Sequence, residues 1–374
     1  MRVDRTLLAT GLLFITQAAL AGDTTPQPLD ELTEVVVTGR YPGPPLWKVS
    51  KGDHVLWILP LVDVYPKKMQ WESARVEKLI AGSQEYIYRP GTANGFHVSN
   101  PLLLFSGLRL YRAAVYLPGK KTLADVLPPD LYSRFRALKS RYFRVNTSMD
   151  RKNIDVAAEV MKNAILDHEN LEMLYGGRFS PKLITDRTSE VLKNNKTIRQ
   201  TGASTGKSVK ITSGSLKALR KLVNEAMASP AFQRQQVACF ERIVAYFEKD
   251  LEPVKKRANA WARGHVDDLV NPTPLYSVTS SCLDPFFDAK DLTAMKKLQK
   301  DYPELGGLLT QDRNEMMKAS RQLWLTVAEA AIARNASTFA MLNVNDVLDK
   351  DGLVDQLRAK GYTVEISAEP AAGN

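Results

Sequence analysis

The chain has 374 residues, 44% apolar and 25% charged, a balance that excludes a disordered polymer and points to a packed globule. Its net charge of +10 suits an acidic partner. Aromatic residues do not interleave the basic stretches as a single-strand binder requires, and no nucleic-acid partner is expected. The two cysteines leave room for one disulfide, and the four histidines contain no His-Glu-x-x-His spacing.

Residues 1–21 read as a secretory signal peptide. Arg2 and Arg5 give a positive start, a mainly apolar run extends from Leu7 to Ile15, and Ala19-Leu20-Ala21 is a small-x-small cleavage site. The run is too short for a bilayer core of about 30 Å, and no later stretch is long and apolar enough for a transmembrane span. The expected product is exported, periplasmic or secreted after cleavage near Ala21. Residues 22–45 read as a flexible tether rich in Thr, Pro and Gly. Within it Val35-Val36-Val37-Thr38-Gly39 reads as a short strand, able to dock on the protein's own sheet or on a partner.

One folded domain is expected over residues 46–368, with a disordered tail at 369–374. Trp47 and Val49 alternate with Lys48, and Val55, Trp57 and Leu59 alternate beyond a polar turn, the pattern of a hairpin. A helix is expected from Trp71 to Ile80, ended by Gly82, and a strand from Glu85 to Arg89, stopped by Pro90-Gly91. From Pro101 to Leu117 strand and helix are not separable by periodicity. Amphipathic helices are expected at Leu131–Tyr142, Val156–Leu174, Leu216–Ala228 and Ala238–Leu251, interrupted by a polar loop or irregular strand pair from Lys193 to Ser215. The end returns to strand at Thr338–Val344, helix at Gly352–Lys360 and strand at Tyr362–Ile366. The expected fold is α/β: a mixed central sheet built from N- and C-terminal strands, with a large mainly helical insertion at about 120–330.

Cys239 and Cys282 both lie in the exported part, where one disulfide is expected. Closing it stabilises the fold by up to about 4 kcal/mol on the chain-entropy account; two buried thiols are the alternative. Ten Lys/Arg fall between Lys182 and Lys221 against only Asp186 and Glu190, and seven between Arg134 and Lys152 against Asp150. The region 182–221 could meet anionic lipid or acidic polysaccharide, or be a solvated helix face. Thr201-Gly202-Ala203-Ser204-Thr205-Gly206-Lys207-Ser208 imitates a phosphate-binding loop but has Thr201 where its first glycine belongs. No serine sits in a Gly-x-Ser-x-Gly elbow.

Two distant segments carry a resemblance. The first is Leu46-Trp47-Lys48-Val49, the turn Ser50-Lys51-Gly52-Asp53, and the strand from His54 into Asp63. The second runs Thr338-Phe339-Ala340-Met341-Leu342, Asn343-Val344-Asn345-Asp346, then Leu357 through Val364. With Pro66, Ala260-Trp261-Ala262, Asp312-Arg313-Asn314 and Gly361-Tyr362 they resemble the TraB/GumN family, which includes the Tiki proteases, over most of Leu46 to Ile366. That family carries a Gly-x-x-His motif in each segment, and the resemblance implies two histidines serving a metal-dependent hydrolase. Neither motif is present. Pro60 and Asp63 stand at the first, Asn343 and Asp346 at the second. A family glutamate falls at Arg89, or at Glu85 after a short register shift.

Those replacements pull in two directions. Carboxylate oxygens suit manganese or a similar divalent ion, so Asp63 and Asp346 could change the metal rather than abolish it. A guanidinium at Arg89 about 5 Å from such an ion repels it by about 6 kcal/mol at an effective dielectric near 20. The expectation is no cofactor, with Asp63, Arg89 and Asp346 converging into an ion cluster; three unrelated surface charges are the alternative. Arg313 and Asn314 are the other polar candidates, with a helix-surface arginine and a nearby cap as their plainer reading. None of His54, His97, His168 and His265 occupies a motif position. The leading function is an exported, non-catalytic binding or envelope-associated protein with a degenerate metal site. The alternatives are a metal-dependent hydrolase using Asp63 and Asp346, and a scaffold whose basic face binds acidic glycan or lipid.

Overall fold

A computed structural model describes residues 43–92, 94–98, 103–143, 148–174, 182–270, 275, 278 and 288–367. Residues 1–21, where a signal peptide is expected, the Val35-Val36-Val37-Thr38-Gly39 run, Cys282 and residues 369–374 lie outside them. In chain order the N-terminal part gives β1 (Leu46–Lys51), β2 (His54–Leu61), β3 (Val64–Pro66), α1 (Ala74–Ala81), β4 (Glu85–Ile87), β5 (Gly91–Thr92) and β6 (Gly95–Val98). The middle adds α2 (Leu103–Val115), α3 (Leu123–Val126), α4 (Pro129–Tyr142), α5 (Ile154–His168), β7 (Leu171–Met173), α6 (Lys182–Asn194), β8 (Arg199–Thr201), β9 (Ser204–Thr205) and β10 (Ser208–Ile211). Then follow α7 (Ser213–Ala228), α8 (Pro230–Phe247), α9 (Glu252–Arg263), α10 (Thr293–Asp301), α11 (Pro303–Leu309) and α12 (Arg313–Arg334). The chain closes with β11 (Ser337–Asn343), α13 (Val344–Leu348), α14 (Leu353–Ala359) and β12 (Thr363–Ser367).

The central sheet has six strands in the order β12-β1-β2-β11-β4-β8. β12, β1 and β2 pair antiparallel, while β2, β11, β4 and β8 run parallel. This is the expected mixed α/β sheet from both ends of the chain, with β8 from the middle at one edge. Helices cover both faces, which is why the central strands read almost without polar residues. In β2 and β11, Leu59, Leu61, Phe339 and Met341 face a core shared with Val76, Ile80 and Trp261. Their neighbours Leu56, Ile58, Ala340 and Leu342 face Trp324, Leu325 and Ala328 of α12. The alternation is the period of two that a strand imposes. A separate helical core packs α4, α5 and α8 around Phe135, Ile165 and Phe240.

Several expected boundaries move, and the larger shifts have local reasons. The helix expected over Val156–Leu174 stops at His168; Asn170 takes φ +53°, the chain reverses, and Leu171–Met173 pairs antiparallel with β3. The helix expected from Ala238 begins at Pro230, because Ser229 caps the Phe232 N–H and proline suits the first turn. The polar stretch Lys193–Ser215 is neither a free loop nor a self-contained pair. Its three short strands run parallel to 85–98, with Glu85 opposite Arg199, Gly91 opposite Ser204 and Gly95 opposite Ser208. Its last residues already belong to α7, opened by reciprocal hydrogen bonds between Thr212 and Ser215. Within the stretch where strand and helix were not separable, Leu103–Val115 is helix.

Candidate functional site at the strand ends

Because β2, β11 and β4 are parallel neighbours, their carboxyl ends lie at one edge of the sheet. Leu61 is opposite Asn343, and Ala340 is opposite Ile87. Asp63, Asp346 and Arg89 follow within three residues of those ends, so the two distant segments do meet where open α/β sheets place ligands. Their side chains do not make the expected shared cluster. Each charged group has its own partner.

Asp63 is held from two sides. Its Oδ1 accepts from Arg257 Nη1 at 3.0 Å and its Oδ2 from the Leu275 backbone N–H at 2.8 Å. Its own carbonyl accepts from Leu174 N–H at 2.7 Å. Both side chains of the Asp63–Arg257 pair are largely buried. The pair joins the end of β2 to α9, one helical turn before Trp261, whose indole N–H donates to the Pro60 carbonyl at 2.6 Å. Trp261 also meets Tyr65 edge-on, with ring centroids 5.1 Å apart. The Tyr65 hydroxyl accepts from Val62 N–H at 2.9 Å, and burial pushes its phenol well above the usual range. At the position of the family's first motif this chain has a packed clasp.

The second motif position is built differently. The strand ends at Asn343, which serves as N-cap of α13, yet its side chain makes no capping bond. Its Oδ1 accepts from Arg89 Nη1 at 3.1 Å instead. Asp346 therefore sits in a short helix rather than on the strand, buried, with Arg321 Nε 2.9 Å from its Oδ1. The Nε–H is not directed at that oxygen, so the contact is an ion pair by distance and not a hydrogen bond. Burial raises the Asp346 carboxyl above its usual value, with Arg321 and Arg89 opposing and Asp349 adding to the rise. Arg89 thus acts on Asp346 only through its field.

The register alternative for the family glutamate is excluded by position. Glu85 opens β4, at the opposite edge of the sheet from Asp63 and Asp346, with Thr338 alongside in the register. There it is buried and accepts from Thr201, Arg334 and Asn335. Arg313 and Asn314 open α12, where Asp312 caps the Asn314 and Glu315 N–H groups. Asn314 is exposed. Both residues therefore stand at a capped helix start. His54 bonds the Ile332 carbonyl, His168 stacks edge-on with Tyr142, and His97 and His265 are exposed. Cys239 is buried in α8, and its expected partner lies outside the described residues.

Sequence reasoning missed Arg257 and Arg321. Arg257 lies four residues before Trp261, hence on the same helix face, which was the one available signal. Arg321 reads as one more charge on a long helix. Among the described residues no three His, Cys, Asp or Glu side chains are placed to hold a metal ion. The donor set does not fit one either. Asp63 already accepts on both oxygens, Asp346 faces Arg321, and guanidinium groups outnumber the two carboxylates. No described helix is long and apolar enough to cross a membrane.

Comparison with curated proteins and with solved structures gave no match. A model of the TraB/PrgY/gumN family matches residues 45–366, nearly the whole folded chain, and the protein belongs to that family.

Proposed function

We propose that this chain is an exported member of its family that has given up metal-dependent hydrolysis and acts by binding in the cell envelope. The observation that carries the reading is the Asp63 clasp. Each oxygen of this carboxylate is already engaged, one by the Arg257 guanidinium and the other by a backbone N–H, so a cation approaching it would meet a positive charge already seated there. Arg89 and Arg321, at the other positions where ligands would be sought, add positive field. Export rests on the Arg2/Arg5 start, the apolar run and Ala19-Leu20-Ala21, and an oxidising compartment favours a Cys239–Cys282 bond.

The test is metal analysis of the purified chain after incubation with manganese or zinc, together with a peptide-cleavage assay with and without chelator. Far less than one ion per chain and no chelator-sensitive cleavage is the expected result. Asp63→Asn should leave metal content unchanged. Stoichiometric manganese that disappears in Asp63→Asn, with cleavage stopped by chelator, would establish the hydrolase and end this reading.

A further inference from the structure

Helix α2 is unlike the other long helices of the molecule. Its sequence, LLFSGLRLYRAAV, is mainly apolar, yet none of its described side chains is buried. Leu108 is 59% exposed and Tyr111 is 58% exposed. Spacings of three and four put Leu108, Tyr111, Arg112 and Val115 on one stripe, with Arg109 at its flank. The strand just before it, β6, exposes Phe96 and Val98 as well. Large apolar side chains concentrated in one short stretch mark a contact surface more often than chance exposure.

The charge around this helix says what kind of surface it fits. No Asp or Glu occurs between Glu85 and Asp125, while Arg89, Arg109, Arg112, Lys120 and Lys121 fall in that interval. α2 packs along α7, which carries Lys217, Arg220 and Lys221, and β6 pairs with β10, which carries Lys210. An apolar stripe with an aromatic ring, flanked by arginines and free of acidic groups, is the composition of a helix that lies in a lipid headgroup layer. Arginine heads can meet lipid phosphates while leucine and tyrosine enter the acyl boundary. A protein partner of matching shape would need acidic groups to complement the same arginines, and no exposed acidic stripe on α2 or β6 supplies them for a second copy.

We infer that α2, with β6 before it, docks this protein on an anionic bilayer surface, Leu108 and Tyr111 entering the headgroup region and Arg109 and Arg112 meeting lipid phosphate. The inference does not depend on the strand-end site.

The experiment is co-sedimentation of the purified chain with phosphatidylcholine vesicles and with vesicles holding about a third phosphatidylglycerol, at about 0.1 M and about 0.5 M salt. Binding to the anionic vesicles alone is expected, with a residual fraction that survives high salt because part of the contact is apolar. Leu108→Glu with Tyr111→Glu should weaken binding about tenfold or more at both salts. Arg109→Gln with Arg112→Gln should weaken it at low salt only. All these positions are exposed, and circular dichroism should confirm an unchanged fold. Absence of binding at low salt, or binding indifferent to the Leu108/Tyr111 pair, would overturn the inference. So would binding lost only with Lys217→Gln, Arg220→Gln and Lys221→Gln, or a concentration-dependent dimer that the Leu108/Tyr111 pair dissolves without any vesicle binding.

Discussion

Glu85 and Asp346 are both buried carboxylates, one at the start of a parallel strand and one just beyond the end of its neighbour, and their surroundings drive them in opposite directions. Burial alone would raise the Glu85 carboxyl, but hydrogen bonds from Thr201, Arg334 and Asn335, with the Arg334 charge, outweigh it and hold the group below its usual value. Asp346 has a single arginine close by, whose N–H points elsewhere, and burial wins. Both sites have an arginine within 3 Å. The number of donors aimed at the oxygens decides protonation, not proximity to a cation.

The largest test of that contrast is Glu85→Ala. It leaves Asn335 and Thr201 without their acceptor beside a buried gap, while the half-exposed Arg334 can turn to water, and should cost about 2–3 kcal/mol, read as a lowered denaturant midpoint. A cost under about 1 kcal/mol would mean those donors find other partners.

A third carboxylate, half-buried, sharpens it at intermediate size. Asp155, near the start of α5, has Gln236 Nε2 donating to it at 2.6 Å and no cation in contact, and burial raises it to about 6. Its folded value lies above an unfolded value of about 3.9, so the native state binds the extra proton. Its contribution to stability is therefore fully present below about pH 4, is lost as pH rises towards about 6, and stays lost above. Asp155→Asn keeps an acceptor for Gln236 and should stabilise the protein by about 2 kcal/mol at pH 8 while leaving pH 4 little changed. Equal effects at both pH values would show that packing, not titration, dominates.

The smallest effect is expected for Asp346→Asn. An ion pair without a directed hydrogen bond loses little when neutralised, and the raised carboxyl already disfavours the charge. Stability at pH 7 should change by less than about 1 kcal/mol. A loss comparable with that of Glu85→Ala would break the comparison outright.

The sheet was legible from residues because its strands declare themselves locally. Trp47 and Val49 alternate, and Phe339 to Leu342 is an apolar run buried on both faces. The register sets the ends of the two strands that lead into the motif positions side by side, with Leu61 opposite Asn343. The pairings were not legible. Arg257 lies 194 positions from Asp63, and nothing in a helical Lys-Arg-rich stretch distinguishes a buried guanidinium from a solvated one. The strands at 199–211 were obscure for a related reason. Each is two to four residues long and is defined only by the segment it runs beside.

The order of strands also governs when this protein can fold. β2 is completed early in synthesis, but its neighbour on the interior side is β11, with Val55 opposite Ser337. Until residues beyond Ser337 emerge, the apolar β2 and the short β4 both keep bare edges, open to pairing with any other extended chain. A ribosome that stops before that point releases a hairpin with an unfilled slot at the middle of its sheet. Such fragments should aggregate or be degraded rather than persist as smaller folded versions of the protein.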